Sequence, residues 1–248
     1  MQTRTMQIAP GALAAALALA AAPAQEPGQD LVFRDFQAVQ RLRVVCEREH
    51  FGRLLDLVAD VPSGRLVAAV VSMATDAGPE VVRVPYDVLR YDPQTNLLDL
   101  GPCLADGEQH PAFDPARVRV SRRADGDGDD EVVGTVMVSR LANMPVALLG
   151  GATGAAQGVT VELRTGHVAF CHTTPTRERA GDDQLHPAPW AAFSLRVADD
   201  DALALALPLG DDALEATPSL VQIILQDALY RPRVYEAFRV APPPFDRP

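Results

Sequence analysis

The phrase "DLVADVPSGRLVAAVV", from Asp56 to Val71, returns about a hundred residues later as "TVELRTGHVAFCHT", from Thr160 to Thr173. Each is followed by a Pro-aromatic pair, "VPYDVL" and then "APWAAF". Gly64 and Gly166 stand 102 residues apart, and Pro85 and Pro189 stand 104 apart, a difference that loop insertions accommodate. A chain that repeats strand, turn, strand and break is built twice on one plan. A lone hairpin cannot bury its apolar face in water, whereas a sheet curled on itself can, and closure removes exposed strand edges. The expected fold is therefore mostly β: two tandem copies of one antiparallel strand plan, each curled on itself, with a short C-terminal helix.

The strand signals are local. "GRLLDLVAD" alternates over part of its length, and "GRLVAAVVSM" is a continuous apolar run suited to a buried strand. Between them Val61-Pro62-Ser63-Gly64 reads as a turn, with Gly64 accepting a positive φ; Arg164-Thr165-Gly166 does the same in the second copy. Pro85 and Pro189 read as strand breaks, because proline offers no donor to a ladder. Near the end, Thr217-Pro218 suits the start of a helix continuing through "SLVQIILQDALY", followed by a Pro-rich tail.

These signals divide the 248 residues into a leader at 1–24, a linker at 25–36, a first barrel at 37–118, an acidic Gly-rich linker at 119–133, a second barrel at 134–220, and a helix with tail at 221–248. The leader carries Arg4, an Ala/Leu-rich run and Ala22-Pro23-Ala24, the pattern of a secretory signal cleaved after Ala24. A retained N-terminal anchor is the alternative. The expected location is secreted or periplasmic, and no other segment is long and apolar enough to span a membrane as a helix.

With these residues in view, the chain resembles the PRC-barrel family, known from the photosynthetic reaction centre H subunit and the ribosome maturation factor RimM. "FGRLLDLVADVPSGRLVAAVVS" and "VRVPYDVLRYDPQTNLLDL" carry the resemblance over Gly52 to Leu100. The second copy is similar but diverged, with Ala188 in place of the Val before the proline. The resemblance implies small antiparallel barrels of about six strands that serve as adaptor or assembly modules.

Charge narrows the partners. The net charge is −11, which repels phosphate backbones, so no nucleic-acid partner is expected. The chain has no lysine, which removes Schiff-base chemistry and the phosphate-loop lysine. No cofactor is expected. Cys46, Cys103 and Cys171 allow one disulfide and one free thiol in an oxidising compartment, but spacing does not choose the pair, and small buried strand residues are the favoured reading.

Two clusters invite a metal. In "GHVAFCHT", strand alternation puts His167 and Cys171 on one face, about 13 Å apart along the strand, and His172 on the other, with His186 in the next segment. That spacing is too long for direct chelation. "DGDGDDEVVGTV" places Asp125, Asp127 and Asp129 like the start of a calcium loop, but Asp130 and Val136 stand where the loop needs Gly and Glu. No metal site and no catalytic residue is assigned. The expected function is that of an exported, non-catalytic module binding a protein partner, neutral or basic by charge. One alternative is a small-ligand-binding protein or enzyme with a site between the barrels, using His167, His172, His186 and Trp190. The other is a calcium-dependent envelope protein.

Overall fold

In a computed structural model the described residues run from Leu31 to Pro242, with 47–48, 76–77, 101–109, 125–129, 175–184, 198–202, 221–224 and 228–229 outside the description. The chain is mostly β, arranged as two curled sheets of the half-barrel kind with few helices. The first half begins with β1 (Phe33–Asp35), the short α1 (Phe36–Val39) and β2 (Arg43–Cys46). The long hairpin β3 (Glu49–Asp60) and β4 (Leu66–Thr75) follows, then β5 (Gly78–Pro85), β6 (Arg90–Asp92) and β7 (Leu97–Asp99). A further hairpin, β8 (Val120–Ala124) and β9 (Asp130–Met137), occupies much of the stretch read as a linker.

The second half repeats the plan with α2 (Val138–Leu141), β10 (Pro145–Leu148), β11 (Thr153–Glu162), β12 (His167–Thr174), β13 (His186–Pro189), β14 (Ser194–Val197) and β15 (Leu203–Leu207). The strand orders are β5-β4-β3-β2-β7-β6 and β13-β12-β11-β10-β15-β14, so each strand has its counterpart at the same place. In both halves one parallel pair, β2 with β7 and β10 with β15, brings the last strand back beside the first.

The halves are not separate in space. β1 precedes the first half in sequence yet pairs with β11 of the second, Phe33 opposite Glu162 and Asp35 opposite Thr160. β9 precedes the second half yet pairs with β3 of the first, Val58 opposite Met137 and Asp60 opposite Thr135. Shifting either set by the repeat offset of Gly64 to Gly166 gives the other, so the two leading strands are exchanged. Strand pairing thus crosses the boundaries expected at 118/119 and 133/134.

The repeated turns meet at the centre of this exchange. Leu66 N–H donates to Gly166 O at 2.8 Å, and Val168 N–H donates to Gly64 O at 2.8 Å. The Trp190 indole N–H donates to Val61 O at 3.1 Å, and the Tyr86 hydroxyl donates to Leu163 O at 2.8 Å. Each aromatic ring lies on the other half's turn glycine. A Cβ on Gly64 would sit 2.5 Å from Trp190 Cδ1, and one on Gly166 would sit 2.5 Å from Tyr86 Cε1. Both glycines also hold positive φ, +68° and +70°. The repeated phrase is therefore a clasp: glycine is required for the turn and for the opposing ring together.

Helix capping shows how the two copies diverged without losing the frame. Asp35 caps α1 by accepting from Gln37 N–H at 2.8 Å. Its counterpart before α2 is Met137, whose side chain makes no capping hydrogen bond. Asp56, on β3, supplies the missing carboxylate and accepts from Ser139 N–H at 3.1 Å and Leu57 N–H at 2.8 Å. Burial pushes the Asp56 carboxyl above its ordinary pKa, against those hydrogen bonds. The position matching Asp56 in the second half is Gly158, where Asp35 Oδ2 already lies 3.6 Å from where a Cβ would stand.

Each curled sheet also needs cover on its outer side. Val58, Ala68 and Val70 form an outer apolar group packed by Phe113 and Val118. Of their counterparts Thr160, Phe170 and His172, Phe170 packs against Phe33 and against Tyr235 of the last helix, its ring centroid 6.1 Å from the one and 5.6 Å from the other. That helix is α4 (Arg231–Ala237), preceded by the one-turn α3 (Asp211–Glu215). The expected helix from Pro218 onward is not formed in the described residues. Pro218 and Ser219 are not helical, and the regular turn begins only at Arg231-Pro232, where a proline suits the first turn. Edges are closed as well: Arg83 N–H donates to Pro111 O and Phe113 N–H to Val81 O along β5. On β13, Pro187 and Pro189 leave no donor for a further strand.

Gly64→Ala is expected to lose about 2 kcal/mol or more, through the strained φ and the Trp190 contact. Adding Trp190→Ala to that variant should cost less than the two single changes summed. Urea unfolding of the four proteins in this cycle checks the coupling; strict additivity would deny the clasp.

Candidate functional site

The histidines of β12 and β13 are where sequence offered the most chemistry. A bulge changes their arrangement. Along β11 and β12 the pairing runs Gly158 to His172, Thr160 to Phe170, then Val161 to Val168 and Glu162 to His167, so Ala169 is the extra residue. One extra residue inverts the alternation beyond it. His167 therefore shares the face of Phe170 and His172, and Cys171 lies on the opposite face with Val168. The expected pairing of His167 with Cys171 is corrected by this bulge.

The three histidines do not converge. His167, half-buried, approaches the Thr165 hydroxyl at 3.2 Å and sits opposite Arg65 in the clasp. His186 is 2% exposed on the other face of the sheet, opposite Thr173, with its Nδ1 3.1 Å from Thr217 O. Trp190 belongs to the clasp. No group of three or more His, Cys, Asp or Glu side chains able to hold a metal occurs among the described residues. Asp125, Asp127 and Asp129 lie outside the described residues.

His172 does gather a set that no sequence order suggested. Its Nε2 is 2.7 Å from the Thr160 hydroxyl, and its Nδ1 is 4.0 Å from Asp35 Oδ2. Hydroxyl, imidazole and carboxylate stand in the order of a catalytic triad. The burial is wrong for one: Thr160 is 4% exposed, paired in the ladder with Asp35 of β1, which leaves its hydroxyl little room for a substrate carbonyl, and the Asp35 carboxylate is already capping α1. Asp35 reaches His172 only because β1 is exchanged, a long-range event that strand patterns do not encode. Gly158 completes the fit, since a Cβ there would stand 2.8 Å from His172 Nδ1.

The remaining buried carboxylate, Glu162, also works within the frame. It accepts from Val32 N–H at 2.9 Å, Arg164 N–H at 3.0 Å, Thr165 N–H at 2.6 Å and the Thr165 hydroxyl. This fixes the turn that carries Gly166, as Asp60 fixes the first turn by accepting from Ser63 N–H and its hydroxyl. Among the cysteines, Cys46 is disulfide-bonded and Cys171 is a buried free thiol. Burial pushes the Cys171 thiol up to about 12, which leaves it protonated and unreactive.

Compared with known protein families and with curated proteins, the chain finds no match in either. No helix among the described residues is long and apolar enough to cross a membrane.

Burial lowers the pKa of His172 and His186 below the ordinary histidine value, with Asp35 and the Thr217 carbonyl only partly opposing it. The sign follows from linkage. The unfolded chain takes up protons as pH falls through about 6.5, whereas the folded chain resists until lower pH. Stability is full above that value and declines below it, by up to about 1.4 kcal/mol per pH unit for each histidine kept neutral. Melting temperature should fall between about pH 7 and pH 5. His186→Asn, which can keep a donor toward Thr217 O, should flatten that slope.

Proposed function

We propose that the chain is an exported module, similar to PRC-barrel adaptors, which binds a protein partner through the outer contours of its two half-barrels. One observation carries this reading: Asp56, Trp190 and Glu162 are engaged in capping, clasping and turn fixation, and His172 and His186 in buried contacts with Thr160 and the Thr217 carbonyl. What faces solution is sheet surface and loop. The long-range fields of a −11 protein favour a partner that is neutral or basic overall. The disulfide at Cys46 supports an oxidising compartment, in line with the leader's pattern.

Two measurements test the proposal. Alkylation of the unfolded, unreduced protein followed by peptide mapping should label Cys171 and leave Cys46 unlabelled; a labelled Cys46 argues for a reducing compartment. The mature chain, immobilised and exposed to the native envelope extract, should retain a defined protein at stoichiometric level. Retention of a small metabolite alone, detected by mass spectrometry, would favour the ligand-carrier alternative.

A further inference from the structure

A duplicated fold separates its own requirements from added features. What both halves share is demanded by the frame, and a costly feature held by one half alone calls for another reason. The outer side of the first sheet holds such a feature. Arg43 on β2 lies directly opposite Arg53 on β3, and both side chains are exposed. Like charges at directly opposed positions destabilise a sheet. Neither guanidinium has an ion-pair or hydrogen-bond partner among the described residues. At the same register in the second half stand Pro145 and Ala155, so the frame asks for no charge there.

The surroundings of this pair limit what it fits. Because directly opposed residues share a face, the register defines one row across the sheet from β5 to β6: Val81, Ser72, Arg53, Arg43, Leu97 and Asp92. Val81 at one end is 38% exposed, and Leu55, the residue skipped between the Leu54 and Asp56 pairings, is 43% exposed beside the row. Asp92 closes the other end. Within that row the basic pair is two residues wide, bounded by an acid and flanked by apolar side chains. An extended polyanion would run from it into Asp92 and the negative remainder of the molecule. A free anion would leave the apolar flank unused.

We propose that Arg43 and Arg53 form a docking strip for a short acidic-apolar segment of a partner protein, with one or two carboxylates on the guanidiniums and aliphatic side chains on Val81 and Leu55. Arginine suits this role because its planar fork donates two parallel hydrogen bonds to one carboxylate. The proposal rests on the binding-module reading and names the local chemistry of its contact; the partner's overall charge is a separate property.

The test uses the mature full chain with nitrogen-15 labelled arginine, titrated with a short capped peptide of leucine and glutamate and followed by NMR of the side-chain Nε–H groups. The Arg43 and Arg53 signals should shift saturably while Arg83 stays unmoved. Affinity should fall about tenfold or more in R43Q/R53Q, and several-fold when salt rises from about 0.05 to about 0.3 M. The same double variant, freed of like-charge repulsion, should melt no lower than the parent. Equal binding of a leucine-glutamine peptide, equal shifts with inorganic phosphate or anionic vesicles, or no saturable shift would overturn the strip. Those results would leave the envelope-capture experiment free to succeed, so the two ideas fail separately.

Discussion

The exchange of leading strands is the constraint on which the rest of this molecule depends. β1 is delivered to β11 and β9 to β3, so neither curled sheet is complete without residues that precede the other. The central clasp then follows. Two hairpin turns are brought face to face, and each must give up a side chain at its glycine so that the other half's Tyr86 or Trp190 can lie against it. Backbone donors that a turn would otherwise show to water are met across the interface, Leu66 to Gly166 and Val168 to Gly64. An interface whose elements come from opposite ends of two repeats couples their folding, because opening either turn leaves a buried ring and two backbone groups unmatched.

Within that frame the copies have drifted in ways that keep each physical requirement met. The helix following each exchanged strand needs an acceptor at its start. Asp35 provides it locally for α1, and Asp56 provides it from a neighbouring strand for α2. The substitution of Met137 at one place and Gly158 at the other is tolerable only because the carboxylates occupy the same region from different directions. His172 and Thr160 satisfy one another on a face that in the first half is the plain apolar set Val58, Ala68 and Val70. Polar atoms gathered this way satisfy one another in an interior that tolerates few unmatched groups.

The charges that the two halves do not share lie on the outer face of the first sheet. Arg43 and Arg53 answer no internal need, whereas the buried titratable groups answer several. The candidate site legible in the sequence was the histidine group around "GHVAFCHT", and its dispersal has a definite cause. A bulge at Ala169 inverts one strand's alternation, and His186 faces away across β13. A single skipped residue is invisible to period-2 reading, which assumes an unbroken pleat.

The sequence by itself determined the duplication, the mostly-β class, the two glycine turns and the proline-terminated strands, because each rests on local backbone preferences and short-range periodicity. It could not determine which strand completes which sheet, what covers the outer faces, or where the last helix begins. Those depend on contacts between residues more than a hundred positions apart, as with Trp190 on Val61 and Glu162 on Val32. Strand pairing is a choice among partners of similar local merit. Only the packing of the whole chain, with every ring, carboxylate and edge accommodated together, decides it.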